Sequence, residues 1–297
     1  MSVRKKIKVV VLMGGKSPEH EISIISGREV IRNLDRRKYL SSRIVISKSG
    51  KGIEKIFRAK ADVVFIAMHG PFGEDGTIQG MLELAGLKYT GSGVLASAIG
   101  MDKIMFRKVM RAEGIPVPKS TTEFPCFVKP HNQGSSVGAS IVRNEKELAK
   151  AIKLARKYSD KVLVEEYLVG KEVTCAVLGN EDPKVLPVIE IVPLKGEFFD
   201  YESKYTESGA EEIVPARISK TLTKKVQDMA VKVYKAIGCR GFGRVDFILK
   251  DNQHPVVLEI NTIPGLTPMS LLPKAAKAAG ISYPRLLDRI IRYAIRG

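Results

Sequence analysis

The chain has no apolar stretch approaching the ~20 residues needed to cross a bilayer, no low-complexity segment and no internal repeat. These absences argue against a helical membrane protein, a repeat array and a disordered tail. The opening MSVRKKIKVVVLMGG is not expected to be a signal peptide: it has basic residues before an apolar run, but the run is short and β-branched, lacks a small-residue cleavage site and flows into a glycine turn. It reads as a strand. Cys126, Cys175 and Cys239 are odd in number and far apart, without the CxxC spacing of zinc or redox sites, so a reduced cytoplasm and a packing role suit them. Glutamine and asparagine are scarce, four and six residues, as would suit a heat-adapted source.

What remains is globular. Hydrophobic residues make up 44% and charged residues 27% of 297 positions, enough apolar side chain for more than one core, and ordinary domain sizes suggest two or three units of roughly 100 to 150 residues. The net charge of +17 would suit a nucleic-acid binder. Yet Lys and Arg are spread along helix-like segments such as Glu145 to Lys157 and Lys220 to Lys235, mixed with acids, and no basic run is interleaved with aromatics. No nucleic-acid partner and no membrane partner is expected.

Short β-branched runs alternate with helical patterns in the first third: Ile7 to Met13, a helix near Glu21 to Leu34, Arg43 to Ser47, Asp62 to Met68 and a helix near Thr77 to Ala85. That alternation predicts a parallel sheet covered by helices, with ligands at the carboxyl ends of the strands, where Gly14-Gly15 and His69-Gly70 fall. A plain turn explains Gly14-Gly15 equally well. The glycine-rich stretch Thr90 to Gly100 marks a boundary before a helix over Asp102 to Ala112. Strands Cys126 to Pro130 and Ala139 to Val142 flank a loop of small residues as a flap, and Asn144 with Glu147 three residues on resembles a capping box. Strands follow over Lys161 to Tyr167, Glu172 to Leu178 and Val185 to Val192, then a polar loop Lys195 to Glu212, a helix Thr223 to Ile237, strands Gly243 to Leu249 and Pro255 to Ile260, and two terminal helices.

Two segments carry chemistry. On Arg244-Val245-Asp246-Phe247 alternate side chains share a face, so Arg244 and Asp246 point one way; Glu259 and Asn261 do likewise on the next strand, and the turn Asp251-Asn252-Gln253 lets the two strands pair. Two carboxylates, an amide oxygen and a guanidinium would then share one surface, a donor set suited to magnesium on a nucleoside triphosphate. A solvated strand face with an ordinary Arg-Asp pair is the alternative. Lys129 precedes the loop GSSVG, whose small residues would let backbone N–H groups approach phosphate oxygens, although the GxxxxGK[ST] pattern is absent and a hairpin without ligand fits as well.

Seven segments together are more specific: MGGKSPEHEIS, MHGPFGEDGTIQGMLELAGLKYTGSGVLASAIGMDK, FVKPHNQGSSVG, VLVEEYLVGKEVTCAVLG, DYESKY, GFGRVDF and LEINTIPGLTPMSLLPKAAKAAG. In order and spacing, over about residues 7 to 290, they closely resemble the D-alanine–D-alanine ligases of the ATP-grasp group. The resemblance implies an α/β, three-domain ATP-grasp architecture with an N-terminal parallel-sheet, Rossmann-like domain at 1–91, a central ATP-grasp subdomain at 92–168 and a C-terminal ATP-grasp and metal-binding domain at 169–297. It implies a cytoplasmic homodimer that uses ATP and two magnesium ions, or manganese in their place, to join two D-alanines for peptidoglycan precursor synthesis.

Residue roles follow from the same resemblance. Lys103, Lys129, Ser135, Ser136, Val137 and Gly138 would hold the ATP phosphates, Glu165, Glu166, Tyr167 and Leu168 would line the adenine pocket, and Glu172 would meet the ribose. Asp246, Glu259 and Asn261 would bind the metals. Glu19 would take the ammonium of the first D-alanine, with His69 nearby, and Ser270 and Leu271 the carboxylate of the second. Arg244 and the Gly265 N–H would face the developing oxyanion. Lys204 and Tyr205 would ride on a closing loop, Tyr205 reaching through Ser135 toward Glu19. Two features depart from the family pattern: His131 replaces a small residue, and the first domain is compressed between Ser47 and Lys60. His20, His131 and His254 are not spaced as metal ligands and read as structural.

Overall fold

A computed structural model describes residues 5–134, 136–194 and 209–296, and counts of elements refer to these. The β-branched run after the basic start forms β1 (Ile7–Gly14), almost wholly buried, with β2 (Tyr39–Ile46) and β3 (Val63–Ile66) parallel on either side of it. Parallel neighbours need crossovers. Helix α1 (His20–Asn33) makes the first, burying Ser23, Ser26, Gly27 and Val30; these mostly small residues bring its backbone close to the sheet. The second crossover holds only a 3-10 helix, Ile53–Arg58, which accommodates the compression noted in the sequence. β2 begins at Tyr39, earlier than the apolar pattern suggested, because at this sheet edge half of its side chains are exposed and polar residues fit there.

Helix α2 (Thr77–Leu84) is followed by α3 (Val94–Met101), inside the glycine-rich stretch that the sequence reading left as a boundary. Buried Ala96, Ser97 and Gly100 explain both the composition and the helix: Gly100 packs against Ile260 and Thr262, and a side chain there would crowd them. Next comes α4 (Lys103–Ala112), capped by Asp102, whose carboxylate accepts from Ile104 N at 2.9 Å and Met105 N at 3.0 Å.

A small antiparallel sheet follows, β4 (Cys126–Pro130) between β5 (Ser140–Val142) and β6 (Val162–Glu166), with α5 (Glu145–Ala155) over it. Asn144 caps α5 through Glu147 N at 3.1 Å, but Glu147 reaches back to Arg143 N at 2.8 Å, not to the cap's own N–H, and the helix ends at Ala155, short of Tyr158. The largest sheet contains β7 (Gly170–Leu178), β8 (Lys184–Val185), β9 (Ile189–Pro193), β10 (Ala210–Ile213), β11 (Phe242–Lys250) and β12 (His254–Asn261). Its main path runs β10-β9-β7-β11-β12, with β8 on β7. The expected single strand Val185 to Val192 is thus two, parted by Leu186-Pro187-Val188, where proline removes a ladder donor. The end of the expected polar loop is strand β10, paired antiparallel with β9.

One face of this sheet packs on α3, α4 and α6 (Lys220–Ala236), around Phe106, Tyr234 and Phe247. The other joins the core of β1 and β3, which also takes in α7 (Leu271–Ala278) and α8 (Tyr283–Arg296). On α8, Leu286, Leu287, Ile290 and Ile291 are each 0% exposed, so one stripe of an otherwise charged helix folds back onto the first unit. All three cysteines are buried and free, and burial pushes the Cys175 and Cys239 thiols up to about 12, as expected of packing residues. No helix among the described residues is long and apolar enough to cross a membrane.

Candidate active site

Two cavities open between the sheets. The first, about 630 Å³, is walled by Lys129 on β4, Glu165 and the segment after it, Glu172 on β7, Asp246 on β11 and Glu259 on β12. The second, about 490 Å³, is walled by Glu19, His69 and Glu74 from the first unit and by Arg244, Asn261, Gly265 and Ser270 from the last third. Lys103 and Glu259 line both.

The junction is built by strand register. Asp246 pairs with Glu259 and Arg244 with Asn261, and the register then shifts between Asp246 and Phe247, a bulge that bends the ladder where the acids meet. Like charges directly opposite are unfavourable without cations between them. Arg244 meets Asp246 with two hydrogen bonds, Nε to Oδ1 at 2.8 Å and Nη2 to Oδ2 at 2.7 Å, and Thr174 Oγ1 donates to Asp246 Oδ1 at 2.5 Å. Burial works against the guanidinium, but Asp246, Glu259 and Glu74 hold the Arg244 pKa above its ordinary value. Lys103 Nζ lies 3.0 Å from Glu259 Oε2, and Asn261 Oδ1 accepts from Ile263 N at 2.9 Å. Among the described residues no three His, Cys, Asp or Glu side chains gather as a metal cage. Two carboxylates and an amide fit a divalent cation that brings other ligands on a triphosphate.

On one side of the first cavity, Lys103 donates to Gln133 O at 2.7 Å and Lys129 lies 3.2 Å from Glu165 Oε2. Burial lowers the Lys129 pKa to about 8, against the pull of Glu165, with repulsion from Arg107 and Lys103 adding to the drop. Ser136 and Gly138 have φ of +57° and +72°, so the loop curls left-handed at both, and Val137 N donates to Gly134 O at 3.1 Å. Ser136 and Val137 line the cavity, as do Glu166, Tyr167 and Leu168. The Glu166 carboxylate is held by Lys250 Nζ at 3.0 Å and Lys119 N at 3.0 Å, which leaves this segment's backbone and the Tyr167 and Leu168 side chains for a planar ligand.

In the second cavity Glu19 sits at the start of α1 beside the glycine turn after β3. Gly70 has φ +72°, and a Cβ there would lie 2.5 Å from Glu19 Oε2, so only glycine lets this carboxylate approach. His69, 4% exposed, meets Ser26 Oγ at 2.8 Å through Nε2, and Glu74 Oε1 at 3.3 Å and Ile263 O at 3.1 Å through Nδ1. Burial disfavours its charge, but Glu74, Glu19 and the Ile263 carbonyl outweigh burial and raise its pKa. Across the cavity a Cβ on Gly265 would stand 2.6 Å from Ser270 Oγ, which contacts Thr267 N at 3.1 Å and Thr267 Oγ1 at 2.8 Å; Leu271 opens α7. Lys274 Nζ pairs with Glu212 Oε2 at 2.6 Å, tying α7 to β10.

Ser135, Lys204 and Tyr205 lie outside the described residues. The other site residues named from the sequence, apart from Gly138, line one or both cavities. His20 bonds Gly15 O at 2.7 Å and His131 bonds Ser159 Oγ at 2.5 Å. Sequence reasoning passed over Arg107, Thr174, Glu74 and the Lys274–Glu212 pair. Signals existed for three of them: Arg107 is one helical turn from Lys103, Thr174 is in phase with Glu172 on a strand, and Glu74 stands in the HGPFGEDG run.

The comparisons agree with this geometry. Residues 8–56 and 50–92 match the family model described as D-ala D-ala ligase N-terminus, and residues 96–292 match D-ala D-ala ligase C-terminus. The D-alanine–D-alanine ligase of Desulforudis audaxviator is 44% identical over 305 residues, 97% of this chain and 98% of that one. The D-alanine–D-alanine ligase of Bacillus anthracis complexed with ATP has a TM-score of 0.84 at 37% identity, covering 98% of both chains. The D-Ala:D-Ser ligase VanG of Enterococcus faecalis has a TM-score of 0.86 at 36% identity, covering 98% of this chain and 100% of that chain. The architecture is therefore the α/β ATP-grasp fold with a parallel-sheet N-terminal unit that the sequence implied. With both family models matched across most of its length, the chain belongs to the D-alanine–D-alanine ligase family.

Proposed function

We propose that the chain uses ATP to join two D-alanines into D-alanyl-D-alanine through an acyl phosphate, supplying peptidoglycan precursor synthesis. The observation that carries this reading is the wall shared by the two cavities, where Lys103, Glu259 and the Asp246–Arg244 pair stand together. A phosphoryl group leaving a nucleotide in the first cavity would meet an acceptor in the second at that wall.

A carboxylate and an ammonium do not condense in water, so the carboxyl must first gain a leaving group. Lys103, Lys129 and the Ser136–Gly138 turn would hold the triphosphate, with Ser135 alongside, while Glu165 to Leu168 hold the base, Glu165 through its backbone because its carboxylate meets Arg107 and Lys129, and Glu172 the ribose. Asp246, Glu259 and Asn261 would carry two magnesium ions, or manganese, which supply positive charge to the phosphate oxygens. Glu19 would bind the ammonium of the first D-alanine beside His69 and turn its carboxylate toward the shared wall. Once the γ-phosphoryl has moved to that carboxylate, Ser270 and the backbone at Leu271 would hold the second D-alanine by its own carboxylate, leaving its amine in reach of the acyl carbon. Arg244 and the Gly265 N–H would face the oxyanion, each such donor contributing roughly 3 kcal/mol in comparable sites. Phosphate then departs and the peptide bond is complete.

Lys204 and Tyr205 are proposed as parts of a lid that keeps water from the acyl phosphate, with Tyr205 favouring an amine nucleophile over a hydroxy acid. Residues 1–91, 92–168 and 169–297 are proposed as the three working units, the last two helices docking on the first. We also propose a cytoplasmic homodimer; exposed Leu84 on α2 and Leu95 on α3 offer it apolar surface, and sedimentation velocity tests it. The activity is tested by ADP release with a panel of D- and L-amino acids, D-serine and D-lactate, followed by mass analysis. D-alanine alone should support turnover, and a preference for D-serine or D-lactate as second substrate would move the chain to another branch of the family.

A further inference from the structure

Arg107 takes part in none of the roles above. It is 2% exposed on α4, one turn beyond Lys103, and it sits behind Glu165, which is also 2% exposed. Its Nη2 donates to Glu165 Oε2 at 2.7 Å, and its Nε stands 2.5 Å from Oε1 as an ion pair not aligned for a hydrogen bond. The same Oε2 receives Lys129 Nζ at 3.2 Å from the cavity side. One buried carboxylate thus lies between a cation that lines the first cavity and one that does not.

We propose that Arg107 is a positioning residue for the nucleotide: by neutralising Glu165 from behind, it leaves the charge of Lys129 to the phosphates. Lys103, Arg107 and Lys129 face Glu165 and Glu259, so these five groups together carry one net positive charge before any ligand arrives. A buried carboxylate stripped of its partner takes the nearest cation. Without Arg107 that cation is Lys129, drawn onto Glu165 with its charge cancelled, and the four groups that remain sum to zero. Removing the Glu165 charge as well frees Lys129 and restores the net positive charge. Arg107 therefore acts through Lys129, and its loss is repairable by a second loss.

The inference rests on reading the first cavity as the ATP site. Its test is calorimetric binding of adenylyl imidodiphosphate with magnesium to wild type, Arg107→Met, Arg107→Lys and the double variant Arg107→Met/Glu165→Gln. The expected result is affinity weakened about tenfold or more in Arg107→Met, the scale of one lost charge-assisted hydrogen bond. Arg107→Lys keeps the charge and should bind within about threefold of wild type although it cannot fork onto both oxygens. The double variant should recover most of the loss, and because no buried carboxylate is left short of its guanidinium it serves even where Arg107→Met fails to fold. The Michaelis constant for D-alanine should stay within about twofold throughout, since Arg107, Lys129 and Glu165 do not line the second cavity. A double variant as weak as Arg107→Met, or D-alanine and nucleotide affected alike, would overturn the role of Arg107 and leave the ATP site standing. Wild type that binds no nucleotide would overturn both.

Discussion

Lys103 Nζ and Glu259 Oε2 stand 3.0 Å apart where the first and second cavities share a wall. They come from distant parts of the chain, the first turn of α4 and the third residue from the end of β12, and the antiparallel pairing of β12 with β11 sets Asp246 directly opposite Glu259. A cation and two carboxylates thereby flank the path that a phosphoryl group would take in the proposed transfer.

Glu259→Gln keeps the size of the side chain and removes its charge. We expect kcat to fall at least about a hundredfold, the usual scale for a lost charge-stabilising group, with an unchanged circular dichroism spectrum. Near wild-type turnover at saturating magnesium would remove Glu259 from the site.

Glu19 stands against Gly70 and within 3.7 Å of a Cβ built on Gly134, close to the second cavity and away from the first. In Glu19→Ala the Michaelis constant for D-alanine should rise about tenfold or more while that for ATP moves little. Equal changes in both would reduce Glu19 to a helix-start residue acting on the α1 dipole.

Lys129 offers a pH test with two opposite signs. Its pKa is lowered from 10.5 to about 8 by burial, so between those values the unfolded chain holds a proton that the folded chain has released. The group's contribution to stability therefore rises as pH climbs through that window. Affinity for ATP should fall across the same rise, because the ammonium that meets the phosphates is being lost. Lys129→Arg, which stays charged, should flatten the fall. Nucleotide affinity measured from pH 7 to 10 decides it, and parallel curves for wild type and variant would show that Lys129 does not carry the phosphate charge.

Leu287 on α8 belongs to a stripe that is 0% exposed against the β1–β3 core. Truncation to alanine should cost about 2–5 kcal/mol in urea unfolding. A loss under about 1 kcal/mol, the range of a volume-conserving core swap, would mean that the last helix contributes little to the first unit.

The parts of the site that lie on one strand were the easiest to read in advance. Alternation along Arg244-Val245-Asp246-Phe247 and Glu259-Ile260-Asn261 told which side chains share a face, and the turn at Asp251 and Asn252, both at positive φ, supports the pairing that brings the faces together. Contacts between distant segments left no periodic trace. Nothing local in Arg107 announces Glu165, 58 positions away, nor does Lys274 announce Glu212. Helix α3 was hidden because its close packing on β12 selects glycine, alanine and serine, the residues that otherwise mark a linker. The return of α8 to the first core was equally silent, since an amphipathic stripe shows that a helix packs without saying on what.

In the proposed reaction one site phosphorylates the carboxylate of a first D-alanine and passes its acyl group to the amine of a second. The most direct measurement supplies ATP, magnesium and D-alanine carrying ¹⁸O in its carboxylate, and reads the products by mass. The account predicts ADP and D-alanyl-D-alanine in equal amounts, with ¹⁸O transferred from the amino acid into the inorganic phosphate. ADP formed without the dipeptide, or phosphate released without ¹⁸O, would contradict it.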